Sequence, residues 1–237
     1  MLNLVLIHGA WHGAWCWDKL VPYLNNIDKI NLIIPDYSQI TSSINDSFIE
    51  AYVNGILKTI QTQKKSDKFV LVGHSLGGIL ITKLLQQLLN IQQLIYIAGF
   101  IPEPGMSLSD CAQEDTAVDI SPCFKFSNNC IGLNPANAAE YFYNTCNKPD
   151  IEYALSKLTV QPIAAFNEKI VYDLDQLKRQ KLIYLACQHD RAVSFAYQKQ
   201  MQEKVSAKLI TLGSCHSPFL SMPQSLAKIL VENIAIC

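Results

Sequence analysis

Six short apolar runs, separated by stretches with helical spacing, constrain the fold of this chain more than any other feature. The runs are continuous rather than alternating, as in strands that are covered on both faces. In chain order they read LNLVLI, INLIIP, FVLVG, LIYIAG, LIYLAC and LITLG. Strands that alternate with helices build a parallel sheet with helices on both faces. The pattern therefore predicts an α/β fold with a mostly parallel sheet of about six strands.

The segments between these runs carry apolar residues at helical spacing, which predicts helices over 15–24, 44–60, 76–89 and 225–236. The stretch from about 102 to 180 breaks the rhythm, because it combines prolines, asparagines, aromatic residues and four cysteines without a core strand. It is too long for a simple loop in a compact domain. We expect a single domain over 1–237, with a helical cap inserted at about 102–180 on the ligand-binding edge of the sheet.

The composition narrows the classes of partner. Hydrophobic residues make up 49% of the chain, enough for a large core, and 19 basic side chains balance 20 acidic ones. With no basic block, nucleic acid is not an expected partner.

Eight cysteines are present, without a CxxC pair, and the chain is too long to need disulfides for stability. A bridge among the four cysteines of the insertion is left open.

The N-terminal segment MLNLVLIHGAWHG has no basic stretch before its apolar run. That run is far shorter than the ~20 residues of a membrane-spanning helix. We therefore expect no membrane span, and a soluble protein of the cytoplasm. The sequence is compatible with a homodimer but does not predict the oligomeric state.

The segment GHSLGG at 73–78 fits the pattern G-x-S-x-G, with Ser75 at its centre. The pattern alone is weak, but here a strand precedes it and a helix follows it, the context of a nucleophile elbow. A serine hydroxyl becomes a good nucleophile only when a base takes its proton. The alternative interpretation is a glycine-rich turn with a capping serine.

The acid and the base of such a site are expected later in the chain, in the order Asp or Glu and then His, each after a strand. Of the five histidines, only His216 follows the last strand and precedes the final helix. Asp190 directly follows the strand LIYLAC, whereas Asp173 and Asp175 are rivals that lie in the irregular insertion. The acid would hold the imidazole tautomer and stabilise the imidazolium.

Two backbone N–H groups are candidates for an oxyanion hole. One is that of Leu76, which follows the nucleophile at a helix N-terminus. The other is that of Ala10, in the loop HGAWHGAW after the first strand. No zinc-binding cluster and no phosphate-binding lysine accompany these residues, so neither a metal nor an organic cofactor is expected.

At this point the sequence resembles the α/β-hydrolases, and more narrowly the plant methylesterases and hydroxynitrile lyases with their bacterial esterase relatives. The segments that carry the resemblance are VLIHGAWHGAWCWDKLVPYL, LVGHSLGG, YIAGFIPEPGMSL, QPIAAFNEKI and CHSPFLSMPQSLAKIL. The resemblance implies a triad of Ser75, Asp190 and His216, with Ala10 and Leu76 as oxyanion donors. It implies a serine hydrolase acting on a small, largely apolar carboxylic ester.

Two alternatives stay open. The first is a lyase of the same fold, but the similar lyases carry a threonine where this chain has Gly9 and a lysine where it has Ser217. The second is a binding protein that has lost turnover. Apolar residues of the cap and of the first loop are candidates either for substrate contact or for packing. They are Trp11, Phe124, Phe126, Tyr141, Phe142 and Phe166.

Overall fold

The structure is a computed structural model, and it describes residues 2–25, 27–28, 30–40, 47–61 and 68–234. The strands within these ranges are β1 (Leu2–Ile7), β2 (Ile30–Ile33), β3 (Lys68–His74), β4 (Ile91–Ile97), β5 (Phe124–Ser127), β6 (Cys130–Leu133), β7 (Gln161–Pro162), β8 (Leu182–Cys187) and β9 (Lys208–Leu212). The α-helices are α1 (Val21–Leu24), α2 (Phe48–Ile60), α3 (Leu76–Leu84), α4 (Leu108–Glu114), α5 (Pro135–Phe142), α6 (Lys148–Lys157), α7 (Ile163–Asn167), α8 (Leu174–Lys178), α9 (Phe195–Lys204), α10 (Pro218–Ser221) and α11 (Pro223–Asn233). Short 3-10 helices span Ala14–Trp17 and Ser121–Cys123.

A six-stranded sheet in the order β2-β1-β3-β4-β8-β9 forms the centre of the fold. All five pairs of neighbouring strands are parallel. The six apolar runs of the sequence are these six strands, so the predicted α/β fold and its parallel sheet are confirmed. Because the strands are parallel, the residues that follow their carboxyl ends gather at one edge of the sheet.

The two edge strands differ from the central ones in burial. The side chains of β1, β4 and β8 are mostly or wholly buried, as continuous apolar runs predict. In β9, by contrast, only Leu212 is buried, and β2 is mostly half-buried. The expectation that all six runs are buried on both faces is therefore wrong for β9, which lies at the edge of the sheet.

Several helices are shorter than their apolar spacing predicts. The predicted helix over 15–24 is a 3-10 turn followed by α1, because Pro22 has no N–H to continue a helix from the preceding turn. Helix α2 begins at Phe48, where the Ser47 side chain caps it by accepting from the backbone N–H of Glu50. Helix α3 ends at Leu84, five residues before the predicted end. Residues 44–46 and 235–236 of the predicted helices lie outside the described ranges.

The sequence predicted a helical insertion between β4 and β8. The insertion does contain helices, but it also contains a small antiparallel sheet in the order β5-β6-β7. Strands β5 and β6 form a hairpin whose two loop residues, Asn128 and Asn129, both have positive φ. Asparagine tolerates this conformation, which is typical of the tight turns that join two strands. The four-residue strands of the hairpin are too short to give a clear periodic pattern.

The seven cysteines in the described ranges are all free thiols. The sequence left open a disulfide among the four cysteines of the insertion, and no such disulfide is present in these described residues. Cys146 instead contacts Cys215, with 3.8 Å between the two sulfur atoms. Among the described helices, none is long and apolar enough to cross a membrane.

Candidate active site

Ser75 lies on a sharp turn between β3 and α3. Its backbone has φ 53° and ψ −120°, a strained conformation for a residue with a side chain. The turn is held on both sides, because the Ser75 N–H donates to the Ile97 carbonyl and the Ser75 carbonyl accepts from the N–H groups of Gly78 and Phe100. A Cβ at Gly77 would lie 2.5 Å from the carbonyl oxygen of Ile7, so only glycine fits where α3 meets β1. A sharp turn between a strand and a helix, with the serine at its centre, is what the pattern G-x-S-x-G predicts.

Asp190 and His216 form a buried pair beyond the ends of β8 and β9. The His216 Nδ1 lies 2.7 Å from Asp190 Oδ2, and both side chains are at most 1% exposed. The other oxygen, Oδ1, accepts from the backbone N–H groups of Ala192 at 2.7 Å and Val193 at 2.9 Å. Because a carboxylate oxygen accepts, Nδ1 carries the proton of this bond, and the Nε2 lone pair is left to take a proton.

Gln198, on α9, is a further contact of this pair that the sequence analysis missed. Its Nε2 donates to Asp190 Oδ2 at 3.0 Å and to the Val193 carbonyl at 2.8 Å. Its Oε1 accepts from the backbone N–H of Cys187 at 2.9 Å. Gln198 therefore ties the acid to the end of β8. Nothing in the sequence distinguishes it from the other polar residues of α9.

Ser75 and His216 line the same cavity, which has a volume of about 360 Å³ and lies under the insertion. Ala10 lines it as well. The tryptophan and phenylalanine side chains of the wall are Trp11, Phe100, Phe124, Phe126, Phe142 and Phe166. All of them except Phe100 were candidates from the sequence, whereas Tyr141 is not part of the wall and packs against the core. The cavity beside the serine is therefore mainly apolar and aromatic.

Exposed polar residues mark the side of the cavity that opens to solvent. They are Gln113, Asp119, Ser121 and Asn167. Phe126 also lies on this side and is 65% exposed. A molecule in the cavity would have its buried end against the aromatic rings near Ser75 and its other end at this polar opening.

The two candidate oxyanion donors follow the carboxyl ends of β1 and β3. The Leu76 N–H is the first of α3, and the first N–H groups of a helix have no partner within it. The Ala10 N–H lies in the loop after β1, and in the described part of the chain it has no hydrogen-bond partner. Neither amide therefore donates to another group in the described ranges, and both stay candidates for an oxyanion hole.

Two other buried histidines lie near His216. The His74 Nε2 is bonded to the His216 carbonyl at 2.9 Å, and burial holds the pKa of His74 well below its usual range. Burial lowers the pKa of His12 to about 3, and its Nε2 accepts from the Tyr143 hydroxyl at 2.8 Å. Both rings are neutral at ordinary pH, so the site carries little positive charge besides any proton on His216.

The rival acids have other contacts. Asp173 caps α8 by accepting from the Gln176 N–H, and Asp175 is an exposed residue of the same helix. Asp36, which also follows a strand but precedes Ser75 in the chain, accepts from the N–H groups of Ala14 and Ser38 in a loop beyond β2. Within the described ranges, no three metal-binding side chains come close enough to hold a metal ion.

Comparison with known proteins identifies the family of this chain. The sequence pattern of the alpha/beta hydrolase family matches residues 4–229, nearly the whole chain. The chain belongs to the alpha/beta hydrolase family.

Several relatives of this hydrolase have names that state an activity. Norfluorocurarine synthase 2 from Strychnos nux-vomica is 28% identical over 260 residues, with 97% of this chain and 94% of the relative covered. Methyl jasmonate esterase 1 from Vitis vinifera is 25% identical over 253 residues, with 98% and 96% covered. A methylesterase of known structure from Arabidopsis superposes with a TM-score of 0.82 at 22% identity, covering 98% of both chains, and shows the same fold.

Proposed function

We propose that this alpha/beta hydrolase cleaves small, largely apolar carboxylic esters through an acyl-enzyme formed on Ser75. The observation that carries the proposal is the shared cavity, because an elbow serine and a carboxylate-bound histidine both line one apolar space. The relatives named as esterases support the same chemistry. The proposal includes a hydrogen bond from Ser75 Oγ to His216 Nε2 in the reacting enzyme.

In the first half of the reaction, Ser75 Oγ attacks the ester carbonyl carbon and its proton passes to His216 Nε2. The imidazolium that forms is stabilised by Asp190 through the Nδ1 hydrogen bond. The carbonyl oxygen becomes an oxyanion, which the N–H groups of Ala10 and Leu76 bind. Loss of one such donor typically costs about 10²–10³ in rate. The C–O bond to the alcohol then breaks, and the alcohol leaves with the proton from Nε2.

In the second half, His216 Nε2 takes a proton from water, and the resulting hydroxide attacks the acyl carbon. The same two N–H groups bind the second oxyanion. When this intermediate collapses, the carboxylic acid leaves and Ser75 regains its proton. No step needs a metal or an organic cofactor, which fits the hydrolase chemistry expected from the sequence.

The aromatic wall supports apolar substrates. Trp11, Phe142 and Phe166 surround the space beside Ser75, with ring centroids of Trp11 and Phe166 5.3 Å apart. Each buried methylene of a substrate contributes about 0.8 kcal/mol against such a surface. A cavity of about 360 Å³ accommodates an ester of small-ligand size. The acyl and alcohol groups are for a substrate screen to identify.

The lyase alternative is not favoured by the geometry near the nucleophile. The similar lyases have a threonine at the position of Gly9, where a Cβ would lie 2.8 Å from both Ser75 Cβ and His74 Nδ1. Ser217, at the position of the lyase lysine, is buried and supplies no positive charge for a departing cyanide. The esterase names among the relatives agree with this preference.

Short p-nitrophenyl esters test the proposal directly. We expect turnover by the wild type and none by Ser75→Ala. Cyanide release from mandelonitrile without ester hydrolysis would support the lyase instead. Tight binding of an apolar ligand by a folded protein without any turnover would support the silent binding protein.

Three broader expectations from the sequence belong to this proposal. They are a single domain with a cap at about 102–180, a cytoplasmic location and a possible homodimer. The location is tested by fractionation of the cells that make the protein, and the oligomeric state by light scattering after size-exclusion chromatography.

A further inference from the structure

The backbone of the loop after β1 is fixed on both sides of the candidate oxyanion donor. The Gly9 carbonyl lies 2.9 Å from His8 Nδ1, and the Ala10 carbonyl lies 2.8 Å from His12 Nδ1. The Trp11 N–H donates to Gln161 Oε1 at 3.1 Å. The Ala10 N–H, which has no hydrogen-bond partner in the described part of the chain, lies between these groups.

Trp11 holds a backbone conformation that a bulky residue rarely adopts. Its φ is 62°, in the left-handed region, which costs a residue with a side chain about 1–3 kcal/mol. The insertion supplies the contacts that offset this cost. The Trp11 indole N–H donates to the Ile131 carbonyl at 3.0 Å, and the Trp11 carbonyl accepts from the Thr159 N–H at 2.9 Å.

Two side chains of the insertion bond the backbone of this loop: the Thr159 hydroxyl donates to the Trp11 carbonyl at 3.3 Å, and Gln161 accepts from the Trp11 N–H. Gln161 belongs to β7, is 2% exposed, and is paired through its backbone with Ile131 of β6. Its Oε1 takes the N–H of the Ala10–Trp11 peptide while His12 takes the carbonyl of the same peptide. Since a peptide unit is planar, these two bonds fix the Ala10–Trp11 peptide, which shares the Ala10 Cα with the peptide that carries the Ala10 N–H.

We propose that Gln161 is a positioning residue that holds the Ala10 N–H in the oxyanion hole. This inference rests on the proposed ester hydrolase function. It gives the insertion a second role besides covering the substrate. Without the Gln161 oxygen, the buried Trp11 N–H would lose its partner and the strained turn could relax toward an ordinary conformation. The Ala10 N–H would then turn away from the place where negative charge develops.

The test compares Gln161→Met, which removes the acceptor at nearly the same volume, with the wild type. Displacement of a catalytic group by about 1 Å can cost about 10²-fold in rate. We therefore expect kcat for a p-nitrophenyl ester to fall about 10- to 100-fold while KM stays within about threefold. The conservative Gln161→Glu, which keeps an acceptor oxygen, is expected to retain more of kcat than Gln161→Met.

A transition-state analogue separates positioning from a general structural effect. A trifluoromethyl ketone accepts Ser75 Oγ at its carbonyl carbon, and its oxygen then becomes the oxyanion that the hole binds. Its inhibition constant for Gln161→Met should rise by the same factor by which kcat falls. Gln176→Met is the matched control, because Gln176 also bonds the backbone, donating to the Leu85 carbonyl, but this bond lies far from the loop after β1 in the sequence and outside the proposed site.

The outcomes are distinct. An unchanged kcat in a folded Gln161→Met variant overturns the inference, and so does an equal loss in Gln176→Met. If Gln161→Met does not fold, Gln161→Asn replaces it, since its shorter side chain keeps the amide but cannot reach Trp11. If the wild type hydrolyses no ester, the proposed function is refuted. That result is distinct from the comparison between variants, which tests only the role of Gln161.

Discussion

Adding one methyl group at Gly9 should disturb the nucleophile, because the new atom would press on the Ser75 side chain. A Cβ at this position would lie 2.8 Å from Ser75 Cβ and 3.2 Å from His74 Cε1. Carbon atoms in ordinary contact are about 3.5–4.0 Å apart. Either Ser75 or the loop must therefore move by roughly 1 Å, and both belong to the proposed site.

The expected size of the effect follows from that displacement. Overpacking of a tight interior typically costs about 1–3 kcal/mol, which lowers the melting temperature of a domain of this length by several degrees. A displacement of about 1 Å at the reacting atoms costs on the order of 10²-fold in kcat/KM. We therefore expect Gly9→Ala to fold, to melt earlier than the wild type and to hydrolyse p-nitrophenyl esters about 100-fold more slowly.

The matched control is Gly213→Ala. Gly213 precedes the loop that carries His216, yet a Cβ there has no atom within 4 Å. Its melting temperature and kcat/KM should equal those of the wild type. Full activity and an unchanged melting temperature in Gly9→Ala would refute the reasoning, because they would mean that the loop and Ser75 are not in close contact.

Two further predictions concern the charged and buried groups of the site. Asp190→Asn should lower kcat by about 10⁴, because the amide no longer fixes the His216 tautomer; a loss below tenfold in steady-state assays would contradict the role of Asp190. The pKa values of His12 and His74 lie below their unfolded value, for which 6.5 is typical. The unfolded chain therefore binds more protons below about pH 6.5, and the free energy of unfolding should fall as the pH drops, by up to about 1.4 kcal/mol per pH unit for each histidine. Urea unfolding at pH 7.0 and 5.5 measures this, and equal free energies at the two values would contradict the burial of neutral rings.

The sequence predicted those site residues whose positions follow from the order of the strands and from where each strand ends. Ser75, Asp190 and His216 each follow a recognisable apolar strand. Because parallel strands bring their carboxyl ends to one edge, three residues far apart in sequence could be placed together without coordinates. Ala10 was predictable for the same reason, since it follows β1.

The parts that were missed depend on register between distant segments. Gln161 bonds the Trp11 N–H across 150 positions, and Gln198 contacts Asp190 from a helix that also carries other glutamines and charged residues. Neither contact leaves a local pattern in the sequence. The β5-β6 hairpin, by contrast, had a local signal in the adjacent Asn128 and Asn129, which suit a tight turn with positive φ.

Reaction with a fluorophosphonate tests most directly whether His216 and Asp190 activate the Ser75 hydroxyl. The phosphorus atom accepts the serine oxygen and fluoride leaves, so intact mass spectrometry detects a single covalent adduct. We predict one adduct on the folded wild type, none on Ser75→Ala and a greatly slowed reaction for His216→Ala. A folded wild type that gains no adduct, or an adduct that persists in Ser75→Ala, would contradict the account.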